Sequence, residues 1–202
     1  MKKNRVLLFV SGFAFYAALC ISNAFAQFGP ANDADARSHN YDVQHIVLSV
    51  SFDESKGKVL GEVTHTIVPS RESVDTISFD EYEMDFSKVS VHQIMNGAPS
   101  DKDYLGSFDT SGNQIRIRFS RSFTPHDTLD VTIDYTCTPH KGLYFIAPDS
   151  ADPRKPHQIW SQGEGEDNHY WFPCYDYPND KATSEVYATV PSHYSVLSNG
   201  AL

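Results

Sequence analysis

Glu164 stands between two glycines in the run Gln162-Gly163-Glu164-Gly165-Glu166-Asp167-Asn168. Glycine on both sides lets the backbone turn sharply and hold a carboxylate at a surface, where it can bind a cationic group such as an ammonium. The wider stretch from Gln158 to Pro178 mixes buried-type aromatics with acids, an unusual blend for a plain connector. Within it, Pro173-Cys174-Tyr175-Asp176-Tyr177-Pro178 carries two prolines that stiffen a turn. The acid between them can accept backbone N–H groups, so Asp176 reads as a turn anchor rather than a base. On composition alone, an acidic solvated loop is the favoured reading of this stretch.

Other chemistries find no support. None of the nine histidines is followed by Glu, so the H-E-x-x-H pattern that sets two imidazoles and a base on one helix face is absent. A nucleophile elbow and phosphate-cradling glycine patterns are missing as well. His45 and His65 fall on neighbouring predicted strands, where they either pair around a metal or serve as ordinary sheet histidines; the second reading is favoured. Cys137 and Cys174 are compatible with one disulfide or with two buried thiols, and spacing does not choose between them.

The elements that must position these residues are strands. Ile46, Leu48, Val50 and Phe52 alternate with His45, Val47, Ser49 and Ser51, the period of a strand with one buried face. After a turn at residues 53–57, Val59, Val63 and Ile67 form its hairpin partner. Further short runs are predicted at 76–79, 89–95, 114–119, 129–137, 142–147, 157–161, 185–190 and 194–198. They are separated by turn chemistry such as Asn96-Gly97 and Ser111-Gly112-Asn113. No window sustains a helical period, so the pattern predicts an all-β, antiparallel sandwich or saddle-like sheet pair.

Sixteen Lys and Arg face 26 Asp and Glu, a formal charge of −10 that argues against a nucleic-acid partner. Lys2, Lys3 and Arg5 precede an apolar run from Val6 to Ile21 and an Ala24-Phe25-Ala26 site, which reads as a signal peptide over 1–26. Residues 27–40 are small and polar, a flexible leader to a domain spanning 41–202. The expected location is exported, periplasmic or secreted, with no stable membrane anchor after cleavage.

The run Trp160-Ser161-Gln162-Gly163-Glu164, the run Trp171 to Pro178 and Lys141-Gly142-Leu143-Tyr144 together resemble the N-terminal domain of the aminopeptidase N family of zinc metallopeptidases. The likeness extends from Tyr41 through Leu60-Gly61-Glu62 to Val196-Leu197-Ser198-Asn199-Gly200. It implies a saddle-shaped β-sandwich in which Gln162 and Glu164 help form the pocket for a peptide's first side chain and free α-amine. Ser161 replaces the usual Thr of the family's T-Q-x-E element and keeps the hydroxyl. Pro173, Asp176 and Pro178 match its P-C-x-D-x-P element, a structural turn. The family's zinc ligands, catalytic Glu, G-x-M-E-N loop and oxyanion-stabilising Tyr lie beyond the position of Leu202. The resemblance therefore implies no catalytic residue, no metal ligand and no cofactor within this chain, and inactivity on its own. Its partners would be the catalytic domain of the same polypeptide, which binds the zinc, and peptide N-termini as substrate. The chain is expected to be a fragment of an exported aminopeptidase; the alternative is a stand-alone exported β-sandwich that binds a peptide or glycan without catalysis.

Overall fold

The computed structural model describes Arg37 and residues 39–201. The expected signal segment 1–26 and most of the 27–40 leader lie outside the described residues, as does Leu202. Among the described residues the chain forms β1 (Tyr41–Asp53), β2 (Lys58–Pro69), β3 (Val74–Asp80), β4 (Asp85–Met95), β5 (Ala98–Asp103), β6 (Leu105–Thr110), β7 (Gln114–Phe123), β8 (Leu129–Cys137), β9 (Leu143–Ile146), β10 (Gln158–Ser161) and β11 (Thr183–Thr189). The single helical element described is a 3-10 turn at Asn168–Tyr170.

Three sheets result: β11-β1-β2-β8-β4-β5, β3-β7-β6 and β10-β9. The all-β, antiparallel sandwich is what the alternation predicted, with one departure. β11 returns after a long excursion and lies parallel to β1, with Ile46 opposite Ser184. A connection of that length permits either direction, and nothing in the local pattern of residues 183–189 distinguishes them.

The alternation writes apolar rows straight across the large sheet. Leu48, Val63, Ile133 and Val89 are consecutive cross-strand partners, each at most 5% exposed. The adjacent row runs Ile46, His65, Val131, Val91. These rows share one core with Ile77, Phe79, Ile115 and Ile117 of the small sheet, and His65 stacks on Phe79 with ring centroids 4.2 Å apart. Burial of such side chains, at roughly 25 cal/mol per Å² of apolar surface, is what holds the two layers together. The β4–β5 hairpin closes through Asn96 and Gly97, both at positive φ, a two-residue turn whose twist matches that of the strands.

In a third row Gly61 lies opposite Tyr135. A Cβ on Gly61 would stand 2.4 Å from Tyr135 Cζ, and Tyr135 is itself only 2% exposed, so the glycine makes room for the ring. Gly61→Ala is therefore expected to lower stability by about 2 kcal/mol through overpacking. Urea unfolding checks this, and pairing it with Tyr135→Leu should recover most of the loss.

Two strands escaped the sequence reading and one was misplaced. β5, with Pro99, Asp101, Lys102 and Asp103, and β6, with Gly106, Ser107 and Asp109, each form a sheet edge, where pairing does not require alternating apolar residues. Residues 194–198 are irregular rather than a strand. Val196 and Leu197 are 42% and 87% exposed, and none of the described strands pairs with the segment.

Candidate functional site

The β9–β10 hairpin delivers the Gln162–Glu164 segment. Its register pairs Trp160 with Tyr144, whose rings stack at 4.7 Å, and the N–H of Gln162 donates to Gly142 O at 2.8 Å, extending the ladder by one residue. Ile159 and Phe145, the other face of the hairpin, pack on the core. The chain then turns at 164–166, with Gly165 at φ +84° and Glu164 exposed. No described cation pairs with Glu164, whereas the neighbouring Asp167 lies 3.7 Å from Lys141. A free carboxylate at the tip of a supported turn can take an ammonium.

The return leg of this loop is fixed from below. Asp176, 5% exposed, accepts from Asn168 Nδ2 at 3.2 Å, from the backbone N–H of His169 at 2.9 Å and lies 2.8 Å from His169 Nδ1. Its own N–H donates to Asp80 Oδ2 at 3.0 Å. Asp80 also receives Arg37 Nη2 at 2.5 Å and Gln114 Nε2 at 3.2 Å, and it exchanges backbone hydrogen bonds with Cys174. Pro173 is buried and its carbonyl faces His65 Nε2 at 2.9 Å, while Pro178 is exposed on the following turn. Three described residues of the stretch 27–40, which was expected to be flexible, pack against this network. Arg37 lies over the Tyr175 ring, His39 Nε2 is 3.0 Å from Asp180, and Asn40 Nδ2 donates to Thr76 O.

His45 and His65 do not meet. The register places them on opposite faces of the large sheet, His45 beside Thr183 Oγ1 at 2.7 Å and His65 in the core. Among the described residues no three His, Cys, Asp or Glu side chains are grouped as metal ligands. Cys137 and Cys174 are both free and buried. Burial pushes the Cys137 thiol up to about 12, and burial, then Asp176 and Asp80, push Cys174 well above its ordinary value. Neither is a nucleophile at neutral pH. Arg37 and Asp80 went unrecognised in the sequence because this network joins distant segments, Asp80 and Asp176 lying 96 positions apart, and Asn168 and His169, 8 and 7 residues before Asp176, carry no motif that marks them as its partners. The one local sign was Asp80, an acid buried at the end of the alternating strand β3.

Residues 37–202 match the profile of the peptidase M1 N-terminal domain. Leucine aminopeptidase 2 of Aspergillus fumigatus is 24% identical over 155 residues, covering 76% of this chain and 25% of that protein. Aminopeptidase B of Mus musculus is 21% identical over 118 residues, 54% of this chain and 18% of that protein. An M1 zinc metallopeptidase from Deinococcus radiodurans shares the fold with TM-score 0.58 at 24% identity, over 76% of this chain and 33% of the other. A variant of that enzyme solved with a Tyr-Ser-Ala substrate matches with TM-score 0.56 at 25% identity, over 75% and 33%. The chain thus spans a third or less of the length of these relatives.

Proposed function

Since the chain belongs to the peptidase M1 N-terminal domain family, we propose that it supplies one wall of the substrate pocket of an exported zinc aminopeptidase whose catalytic domain is part of the same polypeptide. Glu164 is the counter-charge for the α-ammonium of a peptide, and Gln162 borders the first side chain. The observation that carries this reading is the exposed Glu164 carboxylate, unpaired at the tip of the turn that leaves β10. An ammonium held by a carboxylate favours free peptide N-termini over internal bonds, which present no cation at that place. Chemistry at the scissile bond belongs to groups outside the described residues; what this domain contributes is binding and orientation.

In the natural polypeptide that carries both domains, Glu164→Ala is expected to raise KM for aminoacyl substrates about thirtyfold, the loss of one charge pair partly removed from water, with kcat changed far less. An unchanged KM would remove Glu164 from the pocket, and a folded, secreted product with no catalytic partner would favour the peptide- or glycan-binding alternative. Export has its own check. N-terminal sequencing of the protein recovered outside the cytoplasm is expected to begin at Gln27, and an intact Met1 would refute cleavage after Ala26.

A further inference from the structure

Gly163 is the joint between the two arms of the loop. A Cβ there would lie 2.1 Å from Asn168 Oδ1, so the Asn168 amide occupies the space directly against the Gly163 backbone. That amide is held in turn by Asp176 Oδ1, whose partner oxygen takes the backbone N–H of His169. Asp176 is tied by its own N–H to Asp80, and Asp80 to Arg37 and Gln114. Gln162, on the near side of Gly163, is held by its backbone bond to Gly142. Glu164, on the far side, has no hydrogen bond or ion pair among the described residues. Its position is therefore set by what grips Gly163.

We propose that Asn168 and Asp176 are positioning residues for the Gln162–Glu164 segment: the Asn168 amide, clamped by the buried Asp176 carboxylate, is the latch that fixes the exposed end of the loop to the β3 edge. The proposal rests on the reading of Glu164 as the amine contact, but only for its functional consequence. The geometry makes a specific demand on charge. Asn168 Nδ2 must donate and Asp176 must accept, so Asn168→Asp sets two carboxylates against each other and opens the latch. Combining it with Asp176→Asn reverses the bond, since the amide introduced at position 176 can donate to the acid at 168 while its oxygen still accepts from His169 N–H. A residue needed only for bulk stability would not be rescued by this exchange.

The test uses the full 202-residue chain and residue-resolved amide hydrogen exchange. In Asn168→Asp, exchange of the loop's bonded amides, Gln162 N–H on Gly142 O and His169 N–H on Asp176 Oδ2, is expected to rise about tenfold while β2 and β8 stay protected, and in the reversed pair to return to within about threefold of the parent. Unchanged loop exchange in Asn168→Asp, or a reversed pair no better than Asn168→Asp alone, overturns the latch. If Asn168→Asp does not fold, Gly163→Ala decides, because its Cβ displaces the Asn168 amide without adding charge; unaltered loop exchange there overturns the proposal equally. A second readout separates the two claims. Phenylalaninamide, with N-acetylphenylalaninamide as control, is titrated while backbone shifts of 162–165 are followed. Weaker binding in Asn168→Asp and recovery in the reversed pair is expected. Latch behaviour in exchange with no effect of Glu164→Gln on amine binding would leave the latch standing and remove the amine contact.

Discussion

Asp80→Ala is expected to lower the unfolding free energy by about 3 kcal/mol. The carboxylate at the end of β3 is 8% exposed and serves three donors from distant parts of the chain: Arg37 Nη2, Gln114 Nε2 and the N–H of Asp176. Truncation leaves the buried Asp176 N–H without an acceptor, at roughly 1–3 kcal/mol. It also strands the Arg37 cation. Arg37 remains about a third exposed, so water recovers part of its solvation and the cost falls at the low end of what breaking a buried pair entails. Asp80→Asn keeps one acceptor oxygen and should lose about half as much. Asp109→Ala supplies the comparison: its bridge to Arg116 is 3.6 Å long and exposed on both sides, so a change under about 0.5 kcal/mol is expected. Equal midpoints for Asp80→Ala and Asp109→Ala in urea unfolding would mean that the Arg37–Asp80–Asp176 chain does not bear on stability.

That contrast also explains which parts of the protein were legible in the sequence. Strand identity was, because burial of one face forces a period of two, and Leu48, Val63, Ile133 and Val89 follow it wherever they pair. Position in the sheet was not: the parallel placement of β11 depends on an excursion with no periodicity, and β5 and β6 pair through backbone groups that residue type scarcely records. The Gln162–Glu164 segment stood out because glycine and acid occur together. Its support did not, since the partners of Asp176 include Asp80, 96 residues earlier, and a hydrogen bond of that separation leaves no spacing to read. Arg37 shows the limit most clearly. In composition it belongs to a polar leader, yet in space it completes the carboxylate network beneath the candidate site.

Acid is expected to destabilise the domain through His65, by about 3 kcal/mol between pH 7 and pH 4. The side chain is fully buried in the Ile46–His65–Val131–Val91 row, and burial holds its pKa down at about 4, against an ordinary 6.5 and despite the hydrogen bond to Pro173 O. Neutral His65 donates from Nε2 to that carbonyl and leaves Nδ1 with no partner. Protonation would put a second N–H where nothing accepts it. The unfolded chain therefore takes up the proton at about pH 6.5 while the folded one resists, so stability is complete above 6.5 and is lost as pH falls toward 4. Glu81 acts in the opposite sense, because burial raises its pKa and folding favours its protonated form as the pH drops. The two are separated by His65→Gln, which keeps an N–H donor for Pro173 O and cannot titrate. Urea unfolding at pH 7, 5.5 and 4 should show the slope in the parent and its loss, or its reversal by Glu81, in the variant; equal slopes would assign the acid sensitivity elsewhere. Because Pro173 begins the leg that carries Asp176, protonating His65 also loosens the support under the Glu164 turn, and hydrogen exchange of the His169 N–H held by Asp176 should accelerate on acidification in the parent more than in His65→Gln once intrinsic rates are corrected for pH.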